Sequence, residues 1–359
     1  MDRIAALTWS WLNVLNKRRY DALCNVYGTP EAALPHLGEQ LLTALGCREE
    51  TVRAALLRHE EFDPHAYDAE LHRRGLQLHT LDDASYPAAL HQIGDPPIFL
   101  YAKGDVAVLQ EPCIALVGTR EMSAYGKRVT EHFVPDLVAA GMVTVSGLAT
   151  GIDAHVARET ITAGGKTVAV LAHGLSAVYP KANATLAKQI VEHGGVLLSE
   201  FPLDMRPDTY TFPARNRIIA GLSLGTIVLE AGEGSGALIT AELALEYNRD
   251  VFAVPGQIFD TQYAGCHALL ASGHAKLAVN AAAVLQEYGI RTSSEPRSTY
   301  APQNDAEQSV YSALTTMPQS VSDLVDKAKI EAAALNATLT LLEIHGAARN
   351  VGGGMWVRH

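Results

Sequence analysis

Short, mostly apolar runs at 113–117, 142–145, 167–172, 196–199, 226–231 and 250–254 alternate with stretches of helical period. Runs that are apolar on both faces fit buried strands of a parallel sheet better than half-exposed ones. Helical spacing between them runs through Val129 and Leu137, and again through Ala154, Val156 and Ala157. This alternation over 106–290 predicts an α/β domain with a doubly wound sheet. Upstream, Ile4, Leu7, Trp11, Leu12 and Leu15, then Leu34, Leu37, Leu41, Leu42 and Leu45, recur at helical spacing. Breaks at Gly28-Thr29-Pro30 and Gly46 divide 1–70 into short helices. Residues 71–105 read as a bridge, with a short strand at 75–80 and a proline-rich extended stretch from Tyr86 to Tyr101. A polar segment with two prolines, 291–305, reads as a linker. Beyond it, 306–359 holds three helix-like stretches and a Gly352-Gly353-Gly354 hairpin, which suggests a winged helix.

Chemistry enters where the strands end. Three apolar runs lead into Gly118-Thr119-Arg120, into Ser146-Gly147-Leu148-Ala149-Thr150-Gly151-Ile152-Asp153 and into Gly232-Glu233-Gly234-Ser235-Gly236. A strand, a glycine turn and a helix present backbone N–H groups to an anion. Several such turns on one sheet edge make a long rim, which suits a polyphosphate and, above all, a nucleic acid backbone. Arg120 adds a cation at a strand tip, for phosphate or for a neighbouring carboxylate. Asp153 suits a helix N-cap; orienting Arg120 or touching a ribose are the alternatives. In Phe212-Pro213-Ala214-Arg215-Asn216-Arg217 the two arginines point ~200° apart on a helix, so one can face a ligand while the other braces the sheet. Phe212 is a base-stacking candidate or a core residue. Lys181 and Arg206 supply further positive charge near strand ends, and Ser235 and Gly236 leave room for close approach. Neither a dinucleotide Gly-x-Gly-x-x-Gly nor a Walker lysine follows these strands, and no nucleophile or metal-ligand spacing stands out. The expectation is binding without a cofactor, a metal or catalysis.

A formal charge of −11 excludes a general basic coat for nucleic acid, so the site has to be a local one. The C-terminal segment 291–359 is near neutral, with six basic against seven acidic residues. Aromatic residues make up only 6%, too few for a large stacking platform. Cys24, Cys47, Cys113 and Cys266 lie far apart, as inert thiols of a reducing compartment do. No apolar run approaches the ~20 residues of a membrane span and no signal sequence opens the chain, so a soluble, cytoplasmic protein without membrane partners is expected.

Read together, these motifs resemble the DNA-processing protein A family, also called Smf. The resemblance rests on Val117-Gly118-Thr119-Arg120, on 146–155, on 164–171, on Tyr179-Pro180, on Leu198-Ser199-Glu200-Phe201-Pro202, on 212–223, on 235–241 and on Val254-Pro255-Gly256, with Tyr86-Pro87 to Lys103-Gly104-Asp105 extending the match upstream. It implies an extended Rossmann-like sheet that binds single-stranded DNA, flanked by a sterile-alpha-motif-like (SAM-like) helical domain and a C-terminal winged helix. It also implies a homodimer built on the central domain, and delivery of RecA recombinase onto incoming strands in natural transformation. Thr150 stands where many members carry Arg, and Asp208 lies in a segment that is often basic. The helix around 265–270 offers Leu269 and Leu270 as a dimer contact, with monomer core as the other reading. A rival function is a small-molecule enzyme like the nucleotide phosphoribohydrolases. That chemistry needs an acidic pair, whereas Glu230 stands alone before its glycine turn.

Overall fold

The computed structural model describes residues 1–290, 300–315 and 317–358. The apolar runs become β3 (Cys113–Gly118), β4 (Val143–Ser146), β5 (Thr167–Val170), β6 (Val196–Ser199), β7 (Gly225–Glu230) and β8 (Asp250–Ala253). With β9 (Lys276–Leu277) they form a parallel array in the order β6-β5-β4-β3-β7-β8-β9. Residues 71–105 do more than bridge. They supply β1 (Gln77–Thr80) and β2 (Phe99–Gly104), which pair antiparallel with each other, and β2 pairs antiparallel with β6. The described residues thus build a nine-stranded sheet.

Ten helices, numbered here in chain order, precede the one that closes the sheet's first half. The N-terminal set is α1 (Arg3–Leu12), α2 (Lys17–Tyr27), α3 (Pro30–Ala33), α4 (Glu39–Ala44), α5 (Glu49–Glu60) and α6 (Pro64–Arg73). Then come α7 (Ala88–His91), α8 (Ala124–Ala139), α9 (Ile152–Thr162) and α10 (Ala184–Glu192). The remainder of this unit is α11 (Thr211–Leu222), α12 (Gly236–Glu246), α13 (Ala264–Ala271) and α14 (Ala281–Glu287).

Strand alternation divides the core. Ile114, Leu116, Ile227 and Leu229 pack with Phe133 and Leu137 of α8, Val156 of α9 and Leu285 of α14. Ala115, Val117, Val145 and Val228 face the other way, towards Ile218 and Leu222 of α11 and Ala241 of α12. That second core runs on without a break into Trp9, Leu12 and Leu71 of the N-terminal helices. Buried hydroxyls tie the same seam: Tyr67 donates to Tyr101 (3.1 Å), which donates to Ser10 (2.8 Å). Residues 1–70 and 71–105 therefore fall in one unit with the sheet, Met1–Thr292.

Ser293–His359 form the second unit. Its helices α15 (Asp305–Ala313), α16 (Val321–Ala328) and α17 (Ala332–Ile344) enclose Val310, Leu324, Leu335, Leu339 and Leu342. An antiparallel sheet of β10 (Gln319–Ser320), β12 (Met355–Arg358) and β11 (Ala348–Gly352) adds Trp356 to that core. Ser320 and Asp323 close the start of α16 with a reciprocal capping box. This is the winged helix. Most of the expected 291–305 linker, residues 291–299, lies outside the described residues.

Candidate nucleic-acid interface

The chain winds from β3 outward to β6, then returns through α11 to β7 on the other side of β3. Such a reversal leaves a crevice at the carboxyl ends of the two strands, where open α/β sheets hold their ligands. Here it is a cavity of about 670 Å³, lined by Gly118, Thr119 and Arg120 after β3, by 232–236 after β7, and by residues of α11 and α12. Ser235 caps α12 by accepting from Ala237 N, so the first turn of that helix opens on the cavity. A side pocket of about 100 Å³ continues past Arg120 to Gly147, Ala149, His173 and Tyr179.

Glycine brings these turns together. Gly151 has φ +75°, and a Cβ there would fall 2.3 Å from Thr119 O. The bare backbone lets the β4 loop close on the β3 loop, where Ile152 N donates to Thr119 O (3.1 Å). A Cβ on Gly147 would strike the Arg215 guanidinium at 2.0–2.5 Å. Gly236 is different, because nothing lies within 4 Å of its absent Cβ.

The three arginines have separate fates. Arg120 is exposed at the mouth, with its Cζ 5.3 Å from the ring centre of half-buried Phe212. That cation–π stack holds a charged group and an aromatic face side by side in the cavity. Arg215 is buried and internal: Nη1 donates to Gly147 O (2.6 Å) and Val170 O (2.5 Å), and Nε to Asn216 Oδ1 (3.1 Å). Asn216 in turn donates to Gly236 O (3.4 Å). The pair thus ties the β4 loop, β5 and α12 to α11, which makes it a brace. Burial lowers the Arg215 pKa to about 10, against the pull of Asp153. Arg217 does not reach the cavity; its guanidinium pairs with Glu200 and donates to Asp95 O (2.8 Å). Those contacts place Arg217 away from this crevice, on the wall of a second cavity of about 630 Å³ that it lines with Lys17, Arg18 and Glu200. The ~200° divergence of the two side chains is real, and it takes Arg215 into protein and Arg217 to that other wall.

Asp153 lines the cavity, but its reading as an N-cap is corrected. Gly151 occupies the N-cap of α9, and Asp153 Oδ2 accepts instead from Gly147 N (3.1 Å) and Ala149 N (3.4 Å), pinning the loop before the helix. Burial pushes its carboxyl up, with Arg215 and the loop N–H groups pulling it back. Ser146 hydrogen-bonds Leu116 O (2.8 Å) beneath the turn and does not line the cavity. Lys181 and Arg206 are exposed but outside both cavities. Thr209, in the turn before α11, and Ile239 and Thr240 of α12 also line the crevice; the sequence reading assigned none of them to the site, since nothing in their local pattern marks them as ligand contacts. Leu269 is 8% exposed and belongs to the monomer core, while Leu270 is half-buried.

Glu230, the carboxylate that the rival reading singled out, is sealed away. Glu230 is fully buried at the end of β7, where it accepts from Ser123 N (3.2 and 3.1 Å) at the start of α8. Gly126 is packed directly against it, and Glu230 does not line the cavity. A grouping able to hold a metal ion, Glu131, His155 and Glu159 on α8 and α9, also lies outside the cavity lining.

Comparison with known proteins decides the family. The model described as DNA recombination-mediator protein A matches residues 77–289, more than half of the chain, and the DprA winged helix domain matches 294–354. The chain belongs to the DNA recombination-mediator protein A family. A DNA processing protein DprA of Bacillus subtilis is 42% identical over 219 residues, 60% of this chain and 73% of that protein. A putative DNA processing protein DprA of Mycobacterium tuberculosis is 33% identical over 96% of this chain and 92% of its own length. Among solved structures, DprA from Streptococcus pneumoniae superposes with a TM-score of 0.65 at 36% identity, covering 80% of this chain and 98% of that one. DNA processing protein A from Helicobacter pylori, described for its single-stranded DNA binding mode, gives 0.54 at 31% identity, covering 59% and 95%. No helix of the described residues is long and apolar enough to cross a membrane.

Proposed function

We propose that this protein binds single-stranded DNA along the crevice between β3 and β7, protects incoming strands and hands them to RecA during natural transformation. The observation that carries the reading is the switch-point cavity, where glycine turns and a helix N-terminus surround a stacked pair, Arg120 on Phe212. Backbone N–H groups and Arg120 take phosphate, and Phe212 takes a base face. Such a set holds a strand without reading its sequence. The single-stranded DNA named for the Helicobacter pylori relative supports the ligand, and the mediator role in the family's name supports hand-over to a recombinase.

The proposal includes a homodimer on the central domain, since two linked sites multiply weak contacts. With Leu269 in the core, the surface that fits is the β9 edge of the sheet, where Leu277 is 54% and Val279 56% exposed. Leu277→Glu is expected to give a folded monomer by light scattering at micromolar concentration.

The test of binding is a titration with oligo-dT at several salt concentrations, run beside an assay for release of base from AMP. Affinity that falls ~10- to 100-fold per fourfold rise in salt is expected from a few phosphate contacts. Salt-independent affinity, or AMP cleavage without DNA binding, overturns the reading.

A further inference from the structure

Phe259 is 92% exposed and its neighbour Ile258 80%, the two most exposed of the large apolar side chains among the described residues. They form the tip of the turn after β8, where Asp260 N donates to Gln257 O (3.0 Å). The base of that turn is firmly held. Tyr263 is fully buried, its ring packs on Gly256, and it meets Tyr125 edge-on at 5.4 Å. Gly256 O lies 3.1 Å from His267 Nε2, and Asp260 Oδ1 accepts from Gln262 N (2.9 Å). The tip is presented to solvent by a clamped stem.

The stem also walls the crevice. Gln262 Nε2 donates to Glu121 O (3.3 Å), and Thr261 O lies 3.1 Å from where a Cβ of Gly232 would be. Glu121 and Gly232 both line the cavity. Phe259 therefore stands beside the β7 end of the same edge that holds Arg120 and Phe212.

We propose that Phe259, supported by Ile258, is a second base-stacking point for single-stranded nucleic acid, beyond the crevice on its β8 side. The proposal rests on the crevice being a single-strand site. An aromatic ring offers a face to any base, whereas two side chains flanked by Gln257 and Asp260 are far too small for a stable protein interface of ~1,200 Å² or more. The stem that carries Phe259 abuts the crevice wall at Gly232 and Glu121, which puts the ring within the reach of a strand that runs on past 232–234.

The experiment compares the full chain with Phe259→Ala and Phe259→Trp, titrated with a thymidine oligonucleotide of about twenty residues and with its abasic analogue. A stacked base is worth ~1–3 kcal/mol. Phe259→Ala should therefore weaken the thymidine oligomer by about 5- to 150-fold and leave the abasic one unchanged. Phe259→Trp should keep parental affinity, with its added fluorescence quenched by thymidine and not by the abasic strand. Equal loss for both oligomers, no loss for either, or a change from dimer to monomer in Phe259→Ala would each overturn the stacking role. If the parent binds the thymidine oligomer and Phe259→Ala binds it equally, the crevice reading stands and only the stacking point falls. If the parent does not bind at all, both fall.

Discussion

Three arginines sit within or beside one crevice, and their partners decide what each one does. Arg120 is exposed and rests on Phe212, so removing it should leave the fold intact. Arg120→Ala is expected to weaken oligo-dT binding by about 1–3 kcal/mol, one charge-assisted phosphate bond, with the melting temperature within a degree or two of the parent. Titration and thermal melting of the same preparation check this; a fall in melting temperature would make Arg120 a brace. Arg217 is a different case. Its side chain and that of Glu200 are each 15% exposed, and burial raises the Glu200 carboxyl while Arg217 pulls it down. A carboxyl raised by folding adds stability below its unfolded pKa and loses that contribution as pH rises through the raised value. Without Arg217 the carboxyl climbs further, so Arg217→Ala should cost most at neutral pH, about 3–5 kcal/mol for an uncompensated buried charge. The gap to the parent should narrow as pH falls through the carboxylate range. Denaturant melts at about pH 7.5 and pH 5 follow it, and a gap that widened in acid would rule out Glu200 as the cause.

Strand, turn and helix were legible in the chain because each has a local signature. Buried parallel strands are continuous apolar runs, such as Thr167-Val168-Ala169-Val170, and each ends on residues that must turn. The partners of Arg215 and Arg217 have no such signature. Gly147 and Val170 stand 68 and 45 positions from Arg215, and Asp95 stands 122 from Arg217. Only the folded sheet brings them together, so a helical wheel gives the divergence of the two side chains and not their destinations. Asp153 misled for the same reason: its position suits a cap, but a glycine with φ +75° fills the cap and frees the carboxylate for the loop. The turns themselves give a sharp contrast. Gly151→Ala drives a methyl against Thr119 O and imposes a left-handed φ on alanine, so it should destabilise the fold and abolish binding together. Gly236→Ala meets only open space on the cavity side. It should keep the parental melting temperature while costing about 1–2 kcal/mol of single-strand affinity, because the methyl occupies the approach to the α12 N–H groups. Equal affinity for Gly236→Ala and parent would place the strand elsewhere on the edge.

At the scale of the molecule, an acidic chain that binds an acidic polymer must concentrate its attraction, and the two units differ in what they can contribute. Met1–Thr292 carries the crevice, and its core is continuous from the N-terminal helices through the sheet. Ser293–His359 has its own core around Leu335, Leu339 and Trp356, so each unit has what it needs to fold alone. A winged helix that reads duplex DNA places a basic helix in the major groove. Here α17 reads Ala-Ala-Ala-Leu-Asn-Ala-Thr-Leu-Thr-Leu-Leu-Glu-Ile, with no Lys or Arg along it. The segment 291–359 sums to six basic against seven acidic residues, and α17 adds no local cluster of positive charge to contact a phosphate chain. Removing residues 293–359 should therefore leave a folded central unit whose oligo-dT affinity lies within about threefold of the parent, under ~0.7 kcal/mol. Its salt dependence should also match, because the same phosphate contacts remain. Filter binding across a salt series measures both quantities. A tenfold weaker truncated protein with unchanged melting and oligomeric state would put the winged helix on the strand, whereas intact affinity with failed hand-over to RecA would place its role in partner contact.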